Sequence, residues 1–405
     1  MTSRRSFLFL QGPISPFFRE LGSALAARGH AVRRINLSLG DRLFWNDSRA
    51  EDFRGRPAEW PAHVERRLRE GAVTDLVLLG EQRPLHRAAI AAATALGVAV
   101  TVTDFGYLRP DWLILERDGL NPLSRYPRDA AGILALAEGL PPPDMERRHI
   151  ERFRLQATWD MVFHLANTLP WPFPHYVSFL LHPPLPAYLG TGWRLLRRGA
   201  RRREAERRLA EIPDTAPVFL FAMQMETDYS IRAYSPYPGM DAPIAETIAS
   251  FAAHAPRNAW LVVKVHPLDP GLKRWEARVR RIARAHGVKP RVRYVDAVPL
   301  DPLIERSAGL VTVNSTAGLR AMQLGRPVLP LGQALFRAEG LSHQGGLDTF
   351  WTAPEPPDPA LADAFLRGIA HHLHIRGDFY GAHGRRAAVL AAVERLEQGA
   401  GPPDR

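Results

Sequence analysis

The sequence predicts an α/β protein made of two Rossmann-like domains that face a cleft and are joined by a helical connecting region. Three observations lead to this fold class. The 405 residues exceed the usual size of one domain. Short apolar runs alternate with helical periodicity over the first hundred residues, and the same alternation returns after residue 216. Such alternation is typical of parallel sheets covered by helices on both faces.

The N-terminal domain, predicted over residues 1–125, opens with an apolar run at 6–10. This run is shorter than the roughly 7–15 apolar residues of a secretory signal, so we interpret it as the first buried strand. A helix is predicted at 16–28, because Phe17, Leu21 and Leu25 recur on one face. The remaining predicted elements are strands at 31–37, 75–79 and 98–103 and a helix at 84–96.

Residues 126–215 have a different character, with tryptophans, prolines and helical patterns at 128–138 and 145–167. The segment ends in a basic run at 194–208, which holds eight arginines and two glutamates. We therefore predict a helical connection between the domains that ends in a basic segment.

The alternation returns in a C-terminal domain, predicted over 216–385 and followed by a C-terminal helix and tail at 386–405. Strands are predicted at 217–223, 260–265, 291–295, 310–313 and 328–331, and helices at 243–254, 272–286, 300–307 and 316–324. Paired Rossmann-like domains occur in GT-B-type glycosyltransferases and in several other enzyme classes, so the fold alone assigns no function.

Composition limits the function classes. The chain has no cysteine, which excludes disulfides and thiolate metal sites and suits a reducing cytoplasm. No apolar run approaches the roughly 20 residues of a membrane-spanning helix. The net charge of +11 makes nucleic-acid binding an alternative. However, the arginines lack interleaved aromatic residues and no helix-turn-helix or RRM pattern occurs, so no nucleic-acid partner is expected.

Two polar motifs directly follow predicted strands of the C-terminal domain. Because ligands of open α/β sheets bind at the carboxyl ends of strands and helix N-termini attract anions, both motifs predict a phosphate or nucleotide site. A histidine satisfied by backbone and an ordinary helix cap are the alternatives. Neither motif resembles a P-loop or GxGxxG. The predicted nucleotide-binding residues are Lys264, His266, Pro267, Asn314, Ser315, Thr316 and Gly318.

A candidate catalytic carboxylate, Asp104, follows the last predicted strand of the N-terminal domain, with Arg109 and Glu116 nearby in sequence. A carboxylate at that position can act as a nucleophile or base, although aspartate before a turn is common.

Polar residues also follow the first strand of the C-terminal domain, where Gln224, Asp228 and Arg232 are predicted to line a ligand site. A surface loop is the alternative. The histidines at 371, 372 and 374 have no acidic or cysteine companion, so we predict a solvated helix there and no metal site.

A longer series of short motifs can be followed along the chain. They are Gln11-Gly12-Pro13, Gly40-Asp41, Trp45, Gly106-Tyr107-Leu108-Arg109-Pro110-Asp111, Asn121, Thr227-Asp228-Tyr229, Arg232, His266-Pro267, Ser315-Thr316-Ala317-Gly318 and Leu347-Asp348-Thr349-Phe350-Trp351. In this order they resemble the KpsS/LipB-type capsule polysaccharide biosynthesis proteins over nearly the whole chain.

The resemblance implies a retaining, metal-independent β-Kdo transferase (Kdo is 3-deoxy-D-manno-oct-2-ulosonic acid). Such an enzyme would move Kdo from CMP-Kdo to a phosphatidylglycerol-type lipid, starting the capsule linker with no cofactor beyond the donor. The His-Pro and Ser-Thr motifs would then hold the CMP phosphate. The residues expected to contact the sugar or the acceptor are Gly12, Arg109, Asn121, Gln224, Asp228 and Arg232.

One position departs from the family pattern. Relatives carry two acidic residues before the Gly-Tyr pair, whereas this chain has Asp104 and Phe105. Either Asp104 serves as the catalytic carboxylate, or Glu116 does, or the catalytic role is altered. A non-catalytic capsule polysaccharide export or assembly component is therefore the alternative function.

An anionic lipid acceptor would account for a basic run beside aromatic sequence. Each Lys or Arg near an anionic leaflet contributes roughly 1 kcal/mol, and aromatic side chains suit the interface. We expect a cytoplasmic protein, peripheral at the inner face of the cytoplasmic membrane, that also meets other capsule assembly proteins. A solvated helix face is the alternative. The residues expected to face the membrane are Trp171, Phe173, Arg197, Arg198, Arg201 and Arg202.

Overall fold

A computed structural model of the protein describes residues 4–149, 152–178 and 180–399. The strands are β1 (Ser6–Phe9), β2 (Ala31–Asn36), β3 (Ala50–Asp52), β4 (Asp75–Leu79), β5 (Ala99–Phe105), β6 (Trp112–Arg117), β7 (Val218–Ala222), β8 (Trp260–Lys264), β9 (Val292–Val295), β10 (Gly309–Thr312), β11 (Val328–Pro330) and β12 (His374–Arg376).

Helices separate most of these strands. They are α1 (Phe17–Ala27), α2 (Leu39–Phe44), α3 (Trp60–Glu70), α4 (Pro84–Ala95), α5 (Ala130–Ala137), α6 (Phe153–Ala166), α7 (Pro184–Leu196), α8 (Arg198–Ala210), α9 (Tyr229–Tyr234), α10 (Asp241–His254), α11 (Trp275–Ala285), α12 (Asp301–Arg306), α13 (Thr316–Gln323), α14 (Gly346–Phe350), α15 (Pro359–His372) and α16 (Ala382–Gln398). The predicted helix at 145–167 includes residues 150 and 151, which lie outside the described residues, as does the predicted tail at 400–405.

The chain forms two compact α/β units. Unit 1 contains the described residues of Met1–Tyr126, Leu140–Phe179 and Arg367–Arg405, and unit 2 contains those of Pro127–Gly139 and Leu180–Leu366. This division differs from the predicted boundaries at 125, 215 and 385. The predicted connecting region is shared between the two units, and the chain after residue 366 returns to unit 1.

The sheet of unit 1 explains that return. In the described residues its strand order is β12-β6-β5-β4-β1-β2-β3. Strands β1 to β5 are parallel, and β6 runs antiparallel to both of its neighbours, β5 and β12. Phe7 and Phe9 pack on one face with α1 and α16, and Leu8 packs on the other with α3 and α4. The C-terminal segment therefore supplies both an edge strand and a core helix to the N-terminal sheet.

Unit 2 contains a fully parallel sheet, with strand order β11-β10-β7-β8-β9 in the described residues. Phe219, Phe221 and Val263 are buried in its core with residues from α10 and α11. Because β10, β7 and β8 are neighbours and parallel, the loops after them leave the same edge of the sheet. The prediction of mixed α/β domains with parallel sheets is confirmed.

Candidate functional site

The loops after β7 and β10 of unit 2 are joined by a buried amide pair. The Gln224 side-chain amide donates to Asn314 Oδ1, and the Asn314 backbone N–H donates to Gln224 Oε1, both at 2.8 Å. Asn314 Nδ2 also donates to the Ser230 carbonyl oxygen (2.8 Å), and the Ser230 hydroxyl donates to Asn314 Oδ1 (3.0 Å). These bonds give Gln224 and Asn314 a positioning role, because they hold the two loops together; the predicted ligand contacts of both residues stay predictions.

The N-terminus of α13 lies directly after this amide pair. Ser315 caps the helix, since its hydroxyl oxygen accepts a hydrogen bond from the Ala317 N–H (3.2 Å). Thr316 is the first helical residue and is half-buried. The partial positive charge of a helix N-terminus attracts anions. Ser315 and Thr316 are therefore placed as the prediction requires.

Gly318 has a packing role. A Cβ at this position would overlap the ring of Phe336. The Gly318 backbone N–H also donates to the Ser315 carbonyl oxygen (2.9 Å), so it is already used within the helix turn. Gly318 therefore allows close packing of α13, and its predicted contact with a nucleotide stays a prediction.

The predicted histidine follows β8. His266 Nδ1 accepts a hydrogen bond from the Leu268 backbone N–H (3.2 Å), which places the proton of a neutral ring on Nε2. Pro267, which lacks an N–H, follows the strand and is exposed. Asp269 then fixes the loop by accepting a hydrogen bond from Trp275 Nε1 (3.0 Å). The result is a half-buried imidazole with a donor at Nε2 at the same sheet edge as α13.

Lys264, the last residue of β8, is buried. Its neighbours Val263 and Val265 belong to the apolar core, so Lys264 points to the other face of the sheet. Burial lowers the pKa of its ammonium group to about 8. A buried cation of this kind is stabilised by an anion, and a phosphate at this edge would supply one.

The two charged residues after β7 lie at the surface. Asp228 caps α9, accepting a hydrogen bond from the Ser230 N–H (2.9 Å). Arg232 is exposed, and its guanidinium lies 4.7 Å from the centroid of the Tyr229 ring. Their predicted contacts with a sugar or acceptor stay predictions.

Unit 1 presents carboxylates where unit 2 presents cations. Asp104 lies near the end of β5, and Glu116 of β6 pairs in register with Val102. Because alternate strand residues share a face, Asp104 and Glu116 lie on the same face of the sheet. Asp104 is half-buried and Glu116 is fully buried. The two candidate carboxylates are thus neighbours on one face of the sheet.

A third carboxylate, Glu81, was missed by sequence reasoning. It follows β4 and is buried. Burial, followed by the negative charge of Asp104, raises the pKa of Glu81 to about 7 despite backbone hydrogen bonds that oppose the shift. Burial and then the charge of Glu116 raise the pKa of the Tyr107 hydroxyl well above its ordinary value, with Glu81 and Asp104 adding to the effect. The Tyr107 hydroxyl therefore lies within the field of all three acids.

The Tyr107 segment is held from two sides. The Asn121 backbone N–H donates to the Tyr107 hydroxyl oxygen (3.1 Å), and the Tyr107 backbone N–H donates to His374 Nε2 (2.8 Å). His374 is buried in β12, and burial lowers its pKa to about 4. The prediction of a solvated helix at 371–374 is wrong for His374, because strand pairing with β6 carries its ring into the sheet.

Phe105 faces away from the carboxylates. Its ring lies 5.3 Å from that of Phe379 and 6.2 Å from that of Tyr380, measured between centroids. The exposed Arg109 guanidinium lies 5.3 Å from the Phe105 ring centroid. Asp104 and Phe105 therefore point to opposite faces of the sheet, and the phenylalanine fills an aromatic cluster on the face opposite Asp104.

A buried ion pair near the ends of β1 and β2 was also missed. Arg34 pairs with Asp41 at 3.2 Å, and Gln11 Nε2 donates to the same carboxylate (3.2 Å). Burial lowers the pKa of the Arg34 guanidinium, and the Asp41 charge opposes that shift. The signal in sequence was a pair of arginines inside a strand pattern. Gly12 lies beside this pair, where a Cβ would overlap the Phe18 ring, so the absence of a side chain here serves packing.

The predicted membrane-facing aromatic residues divide. Trp171 is 80% exposed, whereas Phe173 is buried, so the prediction is wrong for Phe173. Within the described ranges, no helix is both long enough and apolar enough to cross a bilayer.

The predicted membrane-facing arginines of unit 2 divide in the same way. Arg197, Arg198 and Arg202 are exposed. Arg201 is instead half-buried and paired with Asp296. Its predicted membrane contact stays a prediction.

Comparison with known proteins gives one family and several relatives. A family model for capsule polysaccharide biosynthesis proteins matches residues 74–380. The capsule polysaccharide export protein KpsS of Escherichia coli is 29% identical over 390 residues, which cover 94% of this chain and 98% of that protein. The capsule polysaccharide modification protein LipB of Neisseria meningitidis serogroup A is 29% identical over 402 residues, which cover 94% and 93%.

Among solved structures, the chain is similar to the β-Kdo 2,7 transferase of Thermosulfurimonas dismutans KpsC. The match covers 97% of this chain and 100% of that chain, with 13% identity and a TM-score of 0.46.

Proposed function

The chain belongs to the family of capsule polysaccharide biosynthesis proteins, and on that premise we propose that it is a glycosyltransferase. The proposed reaction moves Kdo from CMP-Kdo to an anionic, phosphatidylglycerol-type lipid at the inner face of the cytoplasmic membrane. The observation that carries this proposal is the group of carboxylates on one face of the unit 1 sheet, next to the Gly-Tyr motif. A family member with three acids placed in this way has the groups that glycosyl transfer requires.

Unit 2 is proposed to bind the donor through its phosphate. Lys264 is the last residue of β8 and His266 follows that strand. The capped N-terminus of α13 follows the parallel strand β10, so it lies at the same edge of the sheet. The phosphate would accept hydrogen bonds from His266 Nε2 and from the Thr316 hydroxyl, while Lys264 supplies a positive charge. The Gln224–Asn314 pair would hold the two loops in place.

Unit 1 is proposed to carry out the chemistry. The Asp104 carboxylate attacks the anomeric carbon of Kdo, the bond from that carbon to the phosphate oxygen breaks, and CMP leaves with the electron pair. The acceptor hydroxyl then attacks the glycosyl ester, which frees Asp104 and retains the configuration. Glu81, with its pKa near 7, takes the hydroxyl proton. Glu116 is the reserve candidate for the nucleophile.

The test is incubation of the full chain with CMP-Kdo and a fluorescent phosphatidylglycerol analogue, followed by mass spectrometry of the lipid. We expect CMP release together with a lipid that carries one Kdo. A second CMP-activated keto sugar, CMP-sialic acid, serves as the donor control and should give little product. If neither CMP nor a glycosylated lipid forms, even with added membranes, the transferase proposal fails.

A non-catalytic export or assembly role is the second candidate. The observation that favours it is Phe105, which occupies a position where the family resemblance leads us to expect an acid. In that case CMP-Kdo would not be consumed at all, so the same incubation separates the two functions.

A further inference from the structure

Unit 2 contains a polar cavity, of about 430 Å³, that none of the proposed nucleotide-binding residues lines. Its walls come from α7, α8, α11 and the segments that follow β8 and β9. This volume falls in the range of small-molecule sites. The cations that line it are Arg194, Arg201, Arg208, Lys273, Arg274 and Arg280, and the carboxylates are Glu204, Glu276 and Asp296.

The three carboxylates that line the cavity do not balance these six cations. Outside the lining, Lys273 pairs with Glu226 and Asp241, and Asp269 lies 3.9 Å from Arg194. Arg194 pairs with Asp296 at 2.8 Å, and Arg201 pairs with the same carboxylate. Two guanidinium groups therefore share one acid, and burial, followed by the charge of Arg194, lowers the pKa of Arg201. Arg274 and Arg280 are exposed and make no ion pair with any described residue. The cavity thus keeps an excess of positive charge that suits a phosphate group.

The helix that contributes Arg194 also carries an exposed apolar face. A Cβ on Gly190 would overlap the Pro270 carbonyl oxygen, so α7 packs closely against the loop after β8 on that side. Arg194 lies on the same side, against Gly271. The adjoining flank of α7, about a third of a turn around the helix, faces solvent.

That flank carries a continuous apolar stripe. It consists of Leu185, Leu189, Trp193 and Leu196, which are 57% to 84% exposed. Their spacing of four, four and three residues places them on one helix face. An exposed stripe of this kind marks an interaction site, and arginines beside it are typical of helices that lie in a membrane interface. The Arg197 guanidinium lies 4.4 Å from the Trp193 ring centroid, at the end of the stripe.

We propose that this cavity binds the phosphate of an anionic glycerophospholipid headgroup while the apolar face of α7 enters the membrane interface. A lipid is the occupant because one ligand then satisfies both features, with its phosphate in the cationic cavity and its acyl region beside the leucines. The inference rests on the proposed function for the class of lipid. The test of lipid binding needs no sugar donor. The lipid proposal can therefore fail while Kdo transfer is confirmed, and Kdo transfer can fail while lipid binding is confirmed.

The first arm of the test measures binding of the full chain to phosphatidylglycerol-containing vesicles, with pure phosphatidylcholine vesicles as the reference. The cavity variant is Arg274→Glu with Arg280→Glu. The matched control is Arg281→Glu with Lys289→Glu, which changes the net charge equally at exposed positions of unit 2 that do not line the cavity. We expect the cavity variant to lose at least about tenfold in vesicle affinity and the control about twofold. Equal losses would mean diffuse charge attraction and would overturn the proposal.

The second arm separates the lipid from a free anion. Leu189→Ser should weaken vesicle binding several-fold but leave binding of water-soluble dihexanoyl phosphatidylglycerol unchanged, since the cavity stays intact. Leu390→Ser, at a similarly exposed leucine of α16, should change neither. If the cavity variant loses binding of inorganic phosphate yet keeps wild-type vesicle binding, the cavity serves a soluble anion and the lipid proposal is wrong.

Discussion

Both units use the parallel strands of their sheets to present groups of opposite charge. In unit 1, β4 and β5 lead to the acids Glu81 and Asp104. In unit 2, the strands end at Lys264, at His266 and at the N-terminus of α13. The architecture is shared, and the chemistry lies in the few residues that follow each strand. The comparison teaches that fold class alone predicts where a ligand binds but not which charge it carries.

Burial disfavours the charged form both of Glu81 in unit 1 and of Lys264 in unit 2. It raises the pKa of Glu81 to about 7 and lowers that of Lys264 to about 8, because in each case the charged form loses its hydration. Both groups therefore change protonation within about one pH unit of neutrality, so a charged ligand decides their state. An anion keeps Lys264 protonated, and a positive centre keeps the acids ionised.

The largest expected effect comes from removing the carboxylate of Asp104. Asp104→Asn is nearly isosteric but uncharged, so CMP release should fall by at least about 10²–10³-fold while folding is kept. Initial rates and circular-dichroism melting curves would measure the two. The control is Asp118→Asn, at a half-buried acid shortly after β6 that pairs with Arg125, which should keep near-normal turnover.

The reserve residue sharpens the same prediction. If Asp104→Asn keeps its activity and Glu116→Gln loses it, Glu116 is the catalytic carboxylate. If both variants remain active, unit 1 does not supply a catalytic carboxylate and the contrast between the units loses its functional meaning.

The next effect concerns stability and pH. The folded-state pKa of Glu81 is raised from 4.5 to about 7, so the folded protein binds the proton more tightly than the unfolded chain between these values. Stability should therefore fall as pH rises from about 4.5 to about 7, by about 3 kcal/mol from this group. Glu81→Gln should remove that fall, as measured by urea unfolding at pH 5 and pH 8. Glu65→Gln, at an exposed acid of α3, should leave the fall in place.

A smaller effect is expected from Lys264, the buried cation of unit 2. Lys264→Met should weaken CMP binding by about 2 kcal/mol at pH 7, or roughly 30-fold, because it removes a buried positive charge. Wild-type affinity should be full below pH 8 and decline above it, since binding then requires the ammonium to regain its proton. Calorimetric titrations at pH 7 and pH 9 would show this slope, and the variant should lack it. A wild-type affinity that rises with pH would contradict the assignment.

Much of the fold could be predicted because buried parallel strands are continuous apolar runs. The strand predicted at 75–79 matches β4, and the strand predicted at 260–265 exceeds β8 by one residue. β12 could not be predicted, because three residues carry no periodicity and its pairing with β6 joins residues about 260 positions apart. For the same reason, no local pattern shows that the chain after residue 366 returns to unit 1.

The candidate site also contains residues that could be predicted from sequence and residues that could not. The placement of His266 and Ser315 after strands could be predicted, since helix caps and strand ends have local signals. The roles of Gln224 and Asn314 could not, because their amides are satisfied by each other across 90 residues of sequence. Glu81 was missed since its raised pKa depends on burial and on Asp104, neither of which is visible from its own neighbours in sequence.

The most direct test of the division between the units is the CMP dissociation constant of three forms of the full chain, measured by titration calorimetry. Wild type should bind CMP, Asp104→Asn should bind it within about twofold of wild type, and His266→Ala should bind it roughly tenfold more weakly, since one hydrogen bond to a charged phosphate is lost. If Asp104→Asn weakens CMP binding and His266→Ala does not, the assignment of phosphate binding to unit 2 and of the catalytic carboxylate to unit 1 is wrong.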